Sequence, residues 1–104
     1  MRYEPGLLPD KDPAEKLDVE FDFADEIAPG ETISSAVQSV PVRTGTDASP
    51  SALLDGAASI VGLGVIQRVK AGVSGVAYVL RSEVTLSSGR VLVLAGILPV
   101  RTLA

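Results

Sequence analysis

From Leu17 to Phe23 the chain alternates without a break, with Leu17, Val19, Phe21 and Phe23 on one side and Asp18, Glu20 and Asp22 on the other. A period of two is that of a strand with one face on a core and the other in water. The same period returns later, where Val76, Tyr78, Leu80, Val84 and Leu86 alternate with Ala77, Val79, Arg81, Glu83 and Thr85. Between these clean strands the pattern is less regular. Ala28-Pro29-Gly30-Glu31 reads as a turn, because Pro pre-sets the first central φ and Gly accepts the positive φ that follows. A second strand is predicted over 31–42, carrying Ile33, Ala36, Val37 and Val40. Its Ser34, Ser35 and Ser39 blur the alternation enough for a helix over 33–40 to compete. Residues 41–58, with Pro41, Gly45, Pro50 and Gly56, read as loop and short irregular strand.

Ser59 to Val69 reads as one long strand interrupted by Gly62 and Gly64, followed by a glycine-bearing turn over 70–75. Ser87-Ser88-Gly89 closes a hairpin into a last strand, Arg90 to Val100, which is apolar on both sides. A strand of that kind is expected between two layers or beneath a partner. Pro5, Pro9 and Pro13 make residues 1–15 an extended arm, since Pro fixes its own φ and biases its predecessor toward extended backbone. Turns at about ten-residue spacing predict an all-β fold. The expected architecture is an immunoglobulin-like antiparallel β-sandwich forming one domain over 16–104, behind the arm 1–15.

Composition narrows the chemistry. The 104 residues contain no Cys, His, Trp or Asn and only four aromatic side chains, Tyr3, Phe21, Phe23 and Tyr78. This removes disulfides, thiol nucleophiles, Cys/His zinc sites and Ser-His-Asp triads, and favours an interaction protein over an enzyme. Residues 1–31 hold ten acids against three bases, whereas 32–104 hold three acids against six bases. An acidic leading segment and a basic body can pair within one molecule or between neighbours, while the net charge of −4 argues against general nucleic-acid binding. The first residues lack the apolar core of a signal peptide, and the apolar run Val91–Val100 is about half of the ~20 residues that a membrane helix needs. A soluble protein of a reducing compartment is expected.

Each candidate site has a plainer reading beside it. Gly62-Leu63-Gly64 lacks the third glycine and the helix of a dinucleotide loop, so its glycines read as permitting a bulge or a close strand approach. Asp18, Glu20 and Asp22 share a strand face at ~7 Å intervals, too far apart to converge on one cation. Asp10/Asp12 and Asp25/Glu26 lie in the arm or beside a turn, without the apolar wall that separates the pKa values of an acid and a base. No catalytic, metal or cofactor residue is expected. Arg68, Lys70, Arg81 and Arg90 fall near the ends of predicted strands, as a basic edge that either blocks strand pairing or contacts an acidic surface.

The ordered pieces Lys11-Asp12-Pro13, Leu17-Asp18, Phe21-Asp22-Phe23 and Glu31-Thr32-Ile33-Ser34-Ser35 resemble the opening of the bacteriophage fiber-tail adaptor proteins. Gly72, Gly75-Val76-Ala77-Tyr78 and Ser87-Ser88-Gly89-Arg90 are similar to that family's second half. Phe23 and Val37 stand where the family often has Trp, and the last strand is more apolar than is usual there. The resemblance implies a non-enzymatic virion protein of the tail or neck, made in the host cytoplasm. It would join tail components to fibers or neighbouring subunits, in several copies, with no nucleic-acid or membrane partner. The contact residues expected on that reading are Tyr3, Leu7, Leu8, Asp10, Lys11 and Asp12 of the arm, with Arg68 and Arg81 of the body. Two alternatives remain open: a capsid-decorating protein, and a carbohydrate-binding surface module, for which Tyr3 and Tyr78 are the available aromatic platforms.

Overall fold

The computed structural model describes residues 8–103. Seven strands follow in order: β1 Leu17–Asp22, β2 Ile33–Ser39, β3 Val42–Thr44, β4 Ser59–Val61, β5 Gly64–Val69, β6 Val76–Leu86 and β7 Val91–Val100. Single 3-10 turns lie at Ala24–Glu26 and Pro50–Leu53, and the described residues contain no α-helix. The strands make two antiparallel sheets. In the smaller, β5 lies between β1 and β4. In the larger, β6 is central, with β7 along one side and β2 and β3 sharing the other.

The alternation read from the sequence decides what goes inside. Val19 and Phe21 of β1, Val65 and Val69 of β5, and Val76, Tyr78, Leu80, Val84 and Leu86 of β6 are all buried and share one core with Leu98 and Val100 of β7. Burying side chains of this size removes each from water at about 1.5–3 kcal/mol, the main term opposing chain entropy. Two polar side chains inside are satisfied. Gln67 donates to the carbonyls of Gly56 and Arg68, and Ser82 donates to Gln38 Oε1 at 2.6 Å.

Three local expectations change. The second predicted strand divides at Val40-Pro41, so that β2 pairs with the C-terminal half of β6 and β3 with its N-terminal half. A proline cannot donate to a central ladder, and here the break falls where the pairing changes. Ser59–Val69 is a hairpin, not one strand: Val61 faces Gly64 across a two-residue turn in which Gly62 has φ +58°. Gly64 then passes so near β1 that an added Cβ would stand 3.2 Å from the Phe21 carbonyl oxygen, the close approach expected of these glycines. Finally, β7 does not lie between two layers. It is an outer strand of its sheet, and Val91 and Val93 are 52% and 43% exposed.

Candidate docking surfaces

Residues 8–12 do not hang free. Leu8 N–H donates to the Ile97 carbonyl at 2.8 Å, Lys11 N–H to the Pro99 carbonyl at 2.9 Å, and Arg101 N–H to the Lys11 carbonyl at 2.9 Å. This short segment lies parallel to the end of β7. Lys11 is wholly buried, its Nζ donating to the carbonyls of Asp12 at 2.9 Å and Ala71 at 2.7 Å. Burial pushes the ammonium pKa down, against the pull of nearby Glu15 and Asp12. Asp12 accepts from the N–H groups of Ala14 and Leu103, which hold its carboxyl below the usual range. Lys11-Asp12-Pro13 is therefore a clasp that fixes the segment to the turn after β5 and to the chain beyond β7.

A second cluster stands at the β6–β7 hairpin. Glu31 accepts from Arg90 Nη2 at 2.5 Å and from the Ser88 hydroxyl, while the Ser87 hydroxyl accepts from Thr32 N–H at 3.0 Å. Ser34 donates to the Thr85 carbonyl at 2.8 Å. The Arg90 guanidinium foremost, then Ser88 and the Ala28 N–H, hold the Glu31 carboxyl down to about 2 against an ordinary 4.5. A depressed pKa contributes stability that is present above pH 4.5 and is lost as pH falls from there toward 2. Glu31→Gln is expected to lower the urea midpoint at pH 7 and to flatten its fall between pH 4.5 and 2. An unchanged acid limb in the variant would contradict this.

Tyr78 is buried at the far end of β6. Its hydroxyl accepts from Val73 N–H at 2.8 Å and donates to Asp47 Oδ2 at 2.7 Å. Burial, then the bond to Asp47, raises the phenol pKa, and the same bond lowers that of Asp47. Tyr78 therefore offers no aromatic platform to a sugar.

The charge asymmetry closes in part within the molecule. Asp10 pairs with Arg101 at 2.6 Å, Asp18 with Arg68 at 3.1 Å and Glu31 with Arg90. Lys70 meets Asp55 at 3.9 Å and Arg81 meets Glu83 at 3.8 Å, so the basic edge expected from the sequence is distributed over separate ion pairs. Apart from Glu31–Arg90, whose carboxylate is mostly covered, exposed pairs of this kind are each worth little.

The expected contact residues are not brought to one place. Tyr3 and Leu7 lie outside the described residues. Leu8 packs on the core edge, Lys11 is internal, and Asp10 and Asp12 are held by Arg101 and Leu103. Arg68 faces outward from the smaller sheet, beside a shallow cavity of about 440 Å³ lined also by Asp55, Ser59, Val61 and Ile66. Arg81 faces outward from the larger sheet, between Ser39 on β2 and Ala95 on β7. The two arginines thus stand on opposite outer faces.

The sequence allowed the last strand to lie beneath a partner, but its odd-numbered residues and Val37, the apolar part of the Arg81 face, are not among the expected contacts. Cross-strand rows put Val37, Glu83 and Val93 together and Ser35, Thr85 and Val91 together, with Val79 beside Ile97. Val37 is 62% exposed. The available signal was the two-sided apolar character of the last strand, whose odd-numbered residues form this stripe. Along β7 the stripe is continuous, with Glu83 standing between it and Val37, and contiguous exposed apolar surface marks a contact site more often than scattered residues do.

The model of one protein family, described as podophage GP4 fiber-tail adaptor protein gp77, matches residues 11–99. No curated protein matches the chain.

Proposed function

The chain belongs to the podophage fiber-tail adaptor family, a phage structural family, and from that premise we propose that it is a non-enzymatic virion component at the tail or neck. It joins tail parts to fibers or to neighbouring subunits, in several copies per particle. The observation that carries this reading is the outer face of the larger sheet. There, valines on β2 and β7 surround a single Arg81–Glu83 pair, a surface suited to protein and unsuited to a charged small molecule. Its partners are virion proteins, without nucleic acid or membrane; no helix among the described residues is long and apolar enough to cross a bilayer. We read the two sheets as an immunoglobulin-like sandwich over 16–104, with 1–15 as its docking arm. Tyr3, Leu7, Leu8 and Asp10 of that arm, with Arg68 and Arg81, are the proposed contacts, while Lys11 and Asp12 keep the arm in place.

Particles assembled without this chain are expected to have filled heads and tails but to lack fibers, as counted in negative-stain images. Fibered particles in its absence would overturn the adaptor reading. Its presence on intact heads that lack tails would favour capsid decoration instead.

A further inference from the structure

The open half of β7 is a strand-pairing edge. Leu86 N–H donates to the Arg90 carbonyl, so the even-numbered residues of the hairpin bond across to β6. The odd-numbered residues point their polar groups the other way, as the Ile97 and Pro99 carbonyls do toward Leu8 and Lys11. Beyond that covered stretch, the outward N–H and C=O groups of Val91, Val93 and Ala95 meet no partner among the described residues. No residue of β7 carries a charge. Proteins that stay monomeric usually interrupt such an edge with Lys, Pro or a bulge, and here only the far end is so treated, by Pro99 and the 8–11 segment.

We infer that this edge pairs with the same edge of a second copy, antiparallel about a two-fold axis at Val93. Val93 then faces Val93, and Val91 faces Ala95 in both directions. The outward groups of Val91, Val93 and Ala95 are all used in six interchain hydrogen bonds, and the two larger sheets become one continuous sheet. The register follows from the cover on the far end, because pairing cannot advance past Ile97, where Leu8 already bonds. Opposite Ile97 stands Gly89 of the other copy, where β7 has given way to its turn. The same axis brings the valine stripes of both outer faces side by side, so the partner that the uncharged edge fits is itself an uncharged β-branched strand. An edge pairing of this size is a weak interface in dilute solution. It rests on the adaptor reading for the high local concentration that a particle supplies.

Sedimentation equilibrium of the full chain from about 10 μM to about 1 mM tests the pairing, across the range of weak association. A monomer–dimer equilibrium is expected. Val93→Pro removes an outward N–H and leaves the ladder to β6 intact, so it should weaken dimerisation at least tenfold with an unchanged circular dichroism spectrum. If that variant does not fold, Val93→Lys, which sets two ammonium groups opposite each other, should do the same. A monomer throughout the range, or a dimer unaffected by a folded Val93 variant, would overturn the inference. So would a monomer that dimerises only when residues 1–7 are removed, since the chain's own leading segment would then be the occupant. A monomer found in fibered tails ends the pairing and leaves the adaptor reading standing; a Val93-dependent dimer absent from particles supports the pairing and ends that reading.

Discussion

Tyr78→Ala is expected to cost about 3–5 kcal/mol, the range for deleting a buried aromatic side chain, and so to remove a large part of the stability of a domain this size. Tyr78 is fully buried in the core and also ties two loops together, through Val73 N–H at 2.8 Å and Asp47 at 2.7 Å. Tyr78→Phe separates the two roles. It keeps the ring and leaves Val73 N–H without its acceptor, while Asp47 still accepts from Ser49 N–H, so a loss of about 1–3 kcal/mol is expected. Urea unfolding of the three proteins gives both values. A Tyr78→Phe midpoint equal to the parent's would mean that the hydroxyl holds nothing.

The second large effect is at Lys11. Lys11→Ala removes a buried side chain and leaves the carbonyls of Asp12 and Ala71 without their donor, at an expected cost of about 2–4 kcal/mol. Lys11→Met restores most of the volume but not the hydrogen bonds, so it should fall between the parent and the Ala variant. Amide exchange should speed up at Lys11 and Arg101, whose N–H groups join this segment to the chain around β7. If Lys11→Met proves more stable than the parent, the desolvation of the ammonium outweighs its two bonds, and Lys11 is present for something other than anchoring.

The clean strands were legible because one face of each is on the core: β1 and β6 were read from Leu17, Val19 and Phe21 and from Val76 through Leu86 at nearly their observed bounds. The Pro29-Gly30 turn and the Ser88-Gly89 hairpin were legible from their turn residues. Gly30 and Gly89 have φ +87° and +94°. The pair Gly62 and Gly64 was only half legible: the close approach of a neighbouring strand is met at Gly64, against β1, but the single strand expected over 59–69 is a hairpin that turns at Gly62. Val40-Pro41 carried the break in the second strand, but what shifts there is the register on β6, a strand distant in sequence to which both pieces pair.

The surface was harder to read than the core. Composition correctly separated an acidic leading segment from a basic body, and it left open whether they meet within a chain or between chains; Asp10, Asp18 and Glu31 meet Arg101, Arg68 and Arg90 within it. A lysine in a Pro-rich acidic stretch reads as exposed, because burial of Lys11 depends on carbonyls at Asp12 and at Ala71, sixty residues away. The valines of β7 were visible as a two-sided apolar strand. Only the pairing with β6 shows that one of those sides is an open face bordered by an open edge.

The most direct measurement is a cryo-electron microscopy reconstruction of the particle that carries this chain, with the two-sheet body fitted to the density. The expected result is several copies between tail and fiber bases, with the Val37–Val93 face against another virion protein. Density for the chain on the head alone, or that face turned to solvent in every copy, would contradict it.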